Sequence, residues 1–592
     1  MSRVGRVGIF VVGICALTAS ISGRAQGPER FSGPSSQSIL QIFDEYWEWK
    51  IARHPELATQ AGRREHNARW TDRSRAARDK ELYDLREWLQ KALYFSPGTL
   101  TPAMRLSAFL LEADVRDQIE SEPYLAAITL VSQADGVHNR VLTVIDQMPA
   151  STVPDYENLV ARIRALPSYV DQTIAEIQEH VDAGLTQPAA VVDLMLDQLA
   201  AQRSAPPQES PLLAAFQRFP DTIPATAQRR LRAAAAEAYA RQFQPAWTRL
   251  ETYLRGTYRP HARARDGIGS VPDGRTAYAR LIKHYTTTSI SPEQIHQIGL
   301  TEVERIEREM QAIARDYGFT GTVAAFEREL ASRPGMHFES QDEMLAYAED
   351  VLASVQPRLP ALFASLPRMK VGIRPISPDR EASTASNYTV GTADGSRQAW
   401  FNMNTYRPRE QTKYTIEALV LHESFPGHHL QSALARETTG VPAFQRAFNA
   451  AAFGEGWALY AEGLGPELGV YRDPTTRFGR LASEYFRAVR LVVDTGIHSM
   501  GWTRDQARAY FSTHVPSQSI AEVDRYIARP GQALAYKLGQ LKILELRDRA
   551  RAALGERFDL KVFHEVVLRN GRLPLDLLEE EVDTYIAEAG RR

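Results

Sequence analysis

Residues 421–430, Leu-His-Glu-Ser-Phe-Pro-Gly-His-His-Leu, are followed closely by Phe-Gly-Glu-Gly-Trp-Ala-Leu-Tyr-Ala-Glu at 453–462. Two neutral imidazoles and one carboxylate can hold a zinc ion and leave a fourth position open for chemistry. A helix bearing His-Glu, a further His a turn or two on, and a Glu on a later helix supply that set. Three histidines fall within eight residues here, out of 14 in a chain of 592, so the stretch reads as a site for one Zn2+ ion. The plainer reading is a helix end with surface histidines, since Pro-Gly often marks a stop. Glu423, beside His422, is placed to take a proton from water.

The spacing departs from the usual zinc-helix pattern, in which the second His follows the first by four; that place is Pro426. At about 100° per residue, an unbroken helix would put His429 below His422 and turn His428 off that face. Pro426 cannot donate its backbone bond and disfavours helical angles at Phe425, and Gly427 is permissive, so a straight helix is not expected. A kink that absorbs two residues returns His428 to the ligand face, and His428 is favoured over His429.

The surrounding elements must position these groups. Ile416, Leu419 and Val420 give His422 and Glu423 an apolar surround, in which a carboxylate needs a cation or a proton. Glu455 and Glu462 lie seven apart near one helix face, so either can ligate, and the other can hold a ligand imidazole. Arg487, Arg490, Asp494 and His498 make a polar stripe on an otherwise apolar helix, which must be solvated, paired or face a cavity. An arginine there suits a substrate carboxylate; an Arg490–Asp494 surface pair is the bland version. Residues 387–404 read as a β-hairpin turning at Ala393-Asp394-Gly395. Trp400, Asn402 and Asn404 share one face, with Phe401 and Met403 on the other. Pro530 starts a late helix carrying Gln532, Tyr536 and Gln540 on one face.

In chain order, a basic start, an apolar run from Val7 to Ile21 and a small-residue end at Ala25 predict a secretory signal peptide over 1–25. The run is too short for a membrane span. The lone Cys15 lies inside it, and Ile14 before it argues against a lipoprotein, so a mature exported chain would hold no disulfide. A net charge of −2 and pI near 6.7 give no electrostatic footprint for nucleic acid or an anionic membrane. Residues 26–275 read as a helical scaffold with Tyr46, Trp47 and Trp49 in its core, and 276–592 as the catalytic region, the two forming one unit. Gly256–Ala277 looks like a loop or boundary with solvated Arg259, Arg263 and Arg265. Ser291, Pro292 and Gln294 predict a capped helix running to Asp316. His564-Glu565, with no second His nearby, reads as solvated helix.

The motifs HESFPGHHLQ at 422–431, EGWALYAE at 455–462 and PGQALAYKLG at 530–539 resemble the bacterial domain of unknown function 885 family. The resemblance extends through HPELAT at 54–59 and YTTT at 285–288. That family is similar to the helical zincins, among them angiotensin-converting enzyme, neurolysin and Taq-type carboxypeptidases. The resemblance implies a mainly α, two-lobed fold with a deep cleft and one small sheet before the metal helix. It implies His422, His428 and Glu455 as ligands, with His429 and Glu462 as alternative or supporting residues. Glu423 would be the base and Tyr536, or else Tyr526, the donor to the oxyanion. Arg487, Arg490, His498 and Asn404 are the expected substrate contacts. The function expected is an exported, periplasmic or secreted zinc hydrolase that cuts amide bonds of short peptides. An amidohydrolase on a non-peptide amide and a non-catalytic binding protein of the same fold are the alternatives.

Overall fold

A computed structural model describes residues 36–94, 100–377, 381 and 384–591. The expected signal peptide and Cys15 lie outside these residues. The described chain is a succession of helices with one three-stranded sheet, so the mainly α expectation holds. Among the described residues no helix is long and apolar enough to cross a membrane.

The helices follow the apolar periodicity of the sequence. Pro292–Asp316 begins with the expected capping box, in which Ser291 and Gln294 each satisfy the other's backbone N–H. Its apolar face (Ile295, Val303, Ile306, Met310) is buried. Tyr46 and Trp47 are likewise buried.

Two cores matter for the site. One lies within the first half of the chain and gathers Val141, Leu159, Ile163, Val170 and Trp247. Another combines Ile39, Phe43, Tyr46 and Trp88 with Phe401, Leu421, Phe453 and Trp457. The first described helices therefore share a core with the motif helices, and Phe43 and Tyr46 pack on Phe444 between the two motif stretches.

The hairpin forms, with β2 (Asn387–Thr389) antiparallel to β3 (Ala399–Met403). A third strand, β1 (Val371–Pro375), runs parallel to β3, which is central in the order β1-β3-β2. Phe401 and Met403 are fully buried, as the alternation of a half-covered strand requires.

Two local expectations need correction. His564 is fully buried, with Nε2 2.8 Å from the Tyr460 hydroxyl and Nδ1 2.9 Å from the Leu362 carbonyl. Its helix, Leu560–Leu568, buries Phe563, Val566 and Val567, and that face carries His564 inward. Arg263 is not a solvated side chain: it donates to the carbonyls of Thr186 at 2.6 Å and Asp266 at 2.8 Å, closing a segment built of short π and 3-10 turns.

Candidate metal centre

The helix Ile416–Glu423 delivers His422 and Glu423, then stops. Residues 424–427 turn, and a new helix, His428–Glu437, starts at the second histidine. The turn brings the chain back so tightly that a Cβ on Gly427 would lie 2.1 Å from the His422 carbonyl oxygen. Only glycine fits that approach. Trp457, fully buried, clamps the turn by donating its indole N–H to the Pro426 carbonyl at 2.9 Å.

The helix Ala451–Glu462 brings in Glu455 and Glu462. It meets the late helix Ala535–Leu554 at backbone contact: a Cβ on Gly456 would lie 2.4 Å from the Gly539 Cα, and one on Gly539 1.8 Å from the Ala452 oxygen. This contact fixes Glu455 relative to Tyr536, one turn before Gly539.

His422, His428 and Glu455 converge, with one ligand atom from each within 4.8 Å of the others. Glu455 Oε2 is 3.3 Å from His428 Nε2 and 3.8 Å from His422 Nε2. A tetrahedral ion with bonds of about 2.0–2.2 Å holds its ligand atoms roughly 3.3–3.5 Å apart, and the two Glu455 distances are already near that spacing. The tautomer agrees. His422 Nδ1 lies 2.8 Å from Glu462 Oε1, and an N–H donated there leaves Nε2 as the lone-pair nitrogen facing the triad.

Charge in the site is arranged accordingly. Burial raises the Glu455 carboxyl, but the adjacent His428 and His422 outweigh it and hold it well below the usual carboxylate range. Glu423 is buried, and burial pushes it up to about 7; Glu455 and Glu462 add to the rise while His428 and Arg487 oppose it. Among the described residues its Oε2 has no hydrogen-bond partner, and neither does His428 Nδ1. An unpaired buried carboxylate oxygen is costly, and it is the sort of group a reacting water would satisfy.

His429 sits elsewhere: Nδ1 is 3.0 Å from the Tyr388 hydroxyl and Nε2 3.0 Å from the Met369 carbonyl. Both ring nitrogens are engaged, and the imidazole ties its helix to the sheet. Tyr536 stacks on His422, with ring centroids 6.4 Å apart and planes at 16°. Tyr526 is fully buried and donates to Glu522 at 2.9 Å.

The arginine stripe lies behind these groups. Arg487 donates to the Ser483 carbonyl at 3.1 Å and stands 3.9 Å from Glu462. Arg490 lies over the Tyr536 ring at 4.5 Å and donates to Tyr526 and Glu522, each at 3.0 Å. Asp494 does not pair with Arg490; it accepts from the Tyr278 hydroxyl at 2.6 Å and the Gly531 N–H at 3.0 Å. Two expected substrate contacts are occupied otherwise. His498 is 2% exposed, with Nδ1 accepting from Ile268 N–H at 3.1 Å and Nε2 3.0 Å from the Tyr526 carbonyl. Asn404 donates to the Glu381 and Thr384 carbonyls, both at 2.7 Å, and accepts from Tyr406 N–H. Their polar atoms serve the fold, so neither is free to meet a ligand.

Sequence reasoning missed Tyr388, Glu522 and Arg572. Each reaches the site region through a contact distant in sequence, to His429, Arg490 and Gln431 respectively.

No curated protein matches the chain. A crystal structure from Colwellia psychrerythraea, described as a "putative lipoprotein", superposes with TM-score 0.90 at 26% identity, over 94% of this chain and 100% of that one. A second, from Shewanella oneidensis and described as a "putative lipoprotein of unknown function", gives 0.69 at 17% identity, over 92% and 99%. A "putative oligoendopeptidase F" from Bacillus anthracis str. Ames gives only 0.33 at 10% identity, over 86% and 96%. The profile of the family described as "Bacterial protein of unknown function (DUF885)" matches residues 55–582, and the chain belongs to that family.

Proposed function

We propose that the chain is an exported zinc-dependent hydrolase that cleaves amide bonds of short peptides. The observation that carries this reading is the convergence of His422, His428 and Glu455 beside a buried Glu423 whose Oε2 has no partner among the described residues. When bound, zinc would supply a Lewis acid for the scissile carbonyl and lower the pKa of water at the site.

The chain's own residues supply the rest. Glu423 takes the proton of the attacking water and returns it to the leaving nitrogen; a carboxyl poised near neutrality suits both transfers. Tyr536, stacked against His422 and backed by the Arg490 guanidinium, donates to the oxyanion as it forms. Glu462 orients His422, and Arg487 neutralises Glu462, so Arg487 is a positioning residue. The β2 strand occupies one edge of the sheet beside His429, where an extended substrate backbone can pair. Residues 26–275 serve as scaffold to the catalytic residues that follow them. Export rests on the basic-apolar-small start of the sequence, and the Colwellia relative's description as a lipoprotein is consistent with it.

Elemental analysis of wild type, His428→Ala and His429→Ala, together with mass spectrometry of a short-peptide digest against Glu423→Gln, tests this. One zinc per chain, lost in His428→Ala only, with cleavage abolished in Glu423→Gln, is the expected result. Zinc without cleavage of any peptide would move the substrate to a non-peptide amide. Absence of zinc from wild type purified without chelator sinks the reading.

A further inference from the structure

A cavity of about 510 Å³ opens between the helix Ser36–Arg53, the hairpin loop and the helix that starts at His428. Its wall includes Trp47, Thr392, Arg436 and Arg446, together with Asp44, Glu48 and Arg63. That volume falls in the range of small-molecule sites.

Four arginines gather on this side. Arg436 and Arg446 line the cavity directly. Arg397 reaches the Gln60 carbonyl at 2.9 Å, next to the lining residue Ala61. Arg572 donates to Gln431 at 2.9 Å and to the Ser432 hydroxyl at 3.3 Å. Ser432 lies one turn before Arg436 on the same helix face. Arg572 also presses on the Glu455 helix, where a Cβ at Gly454 would lie 2.8 Å from its Cζ. The arginine group therefore runs from the cavity to the residue adjoining a triad carboxylate.

None of the four forms an ion pair with a carboxylate among the described residues, and Asp394 and Glu455 act on Arg397 and Arg572 only from farther off. Arg397 bonds backbone carbonyls, Arg446 the Val441 carbonyl at 2.9 Å, and Arg572 neutral side chains. Of the two acids in the wall, Glu48 is held by Arg63 at 2.8 and 2.9 Å, and Asp44 is exposed. Arginine cannot shed its proton to relieve such crowding. Burial, followed by the charges of Arg397, Arg572 and Arg446, pushes Arg436 down to about 10, the direction expected of a cation lacking its counter-ion.

We propose that this pocket is an oxyanion-binding subsite, which receives a carboxylate or phosphate group of the molecule hydrolysed at the His422–His428–Glu455 centre. The link to hydrolysis rests on the function proposed above; the anion site itself does not. Planar guanidinium forks bind such groups in pairs of hydrogen bonds, and Trp47 with the neighbouring alanines offers an apolar floor for the carbon portion beside the charge. Tyr388, on the edge strand β2 and bonded to His429, lies within the electrostatic reach of Arg397, Arg436 and Arg572, and the helix His428–Glu437 joins the ligand His428 at its start to Arg436 in the pocket wall.

Calorimetric titration of the full chain with inorganic phosphate and, separately, with glutarate tests the pocket. Saturable, salt-weakened binding of one or both is expected in wild type, Glu423→Gln and His428→Ala. Arg436→Met should weaken it by roughly tenfold or more, with Arg436→Lys intermediate and both variants folded by circular dichroism. Preference for phosphate or for glutarate tells the two anion sources apart. Equal affinity in Arg436→Met and Arg446→Met, or no saturable binding, overturns the proposal. So does binding lost in His428→Ala but kept in the arginine variants, which places the anion on the metal centre. A second arm compares kcat/KM for acidic peptides and their neutral amides. Arg436→Met should lower the acidic series selectively, and equal effects on both series would remove the substrate role. If anions bind as expected while wild type cleaves no peptide, the peptide-substrate reading fails and the subsite stands.

Discussion

His422 Nδ1 lies 2.8 Å from Glu462 Oε1, and both side chains are almost completely buried. This bond decides which nitrogen of the imidazole faces Glu455 and holds the ring there before any ion arrives. Replacing Glu462 by Gln keeps an acceptor in place but removes the charge that makes the imidazole a stronger donor of electrons. Metal affinity should fall about 10- to 100-fold, read by competition with a chromophoric chelator. Unchanged affinity would reduce Glu462 to a packing residue.

Glu423→Gln should separate holding the ion from using it. Glutamine preserves shape and neutrality in a pocket where burial already pushes the acid up to about 7, so folding and metal content should be retained. What disappears is proton transfer, a loss of roughly a hundredfold to ten-thousandfold in kcat. Peptide turnover by this variant within a few fold of wild type would exclude Glu423 as the base.

The stretch that carries the metal centre was legible because its chemistry is local. His422, Glu423, His428 and Glu455 sit close in sequence, and Pro426-Gly427 announced that the helix could not run straight. The pair of strands around Ala393-Asp394-Gly395 was legible for the same reason. What lay hidden depends on long-range packing. His564 looked solvated when judged by the lack of a second histidine, although Phe563, Val566 and Val567 already marked the buried side of its helix. Asp494 invited pairing with Arg490 one turn away, but Tyr278 and the Gly531 N–H approach from other elements and take it. The arginines gathered in and beside the cavity come from positions 397, 436, 446 and 572, and no periodicity links them.

Gly456 and Gly539 let two helices touch at their backbones, and this contact sets the distance from Glu455 to the Tyr536 ring. Gly456→Ala inserts a methyl 2.4 Å from the Gly539 Cα, where neither backbone can yield cheaply. A destabilisation of about 1–3 kcal/mol is expected from overpacking, measured by urea unfolding. Because the helices must separate, metal affinity should drop as well, although no ligand is altered. A stable variant with wild-type affinity would show that the centre tolerates the displacement.

Lys537 is fully buried next to Tyr536, 2.7 Å from Glu484 and 2.8 Å from Glu302, and Arg305 and Arg480 complete the network at 2.6 and 2.9 Å from Glu484. Burial alone would raise Glu484, but Lys537, Arg480 and Arg305 together bring it down to about 2. A carboxyl depressed in the folded state contributes stability that is fully present above its ordinary value of 4.5 and disappears as pH falls towards 2. Urea midpoints should therefore decline steeply over that window. Lys537→Met leaves two buried carboxylates short of a cation, which costs about 3–5 kcal/mol at neutral pH. The penalty should shrink on acidification, since protonated carboxyls no longer need the ammonium, so the wild-type and variant stability curves should converge below pH 4.5. A constant gap between them would assign Lys537 a packing role in place of an electrostatic one.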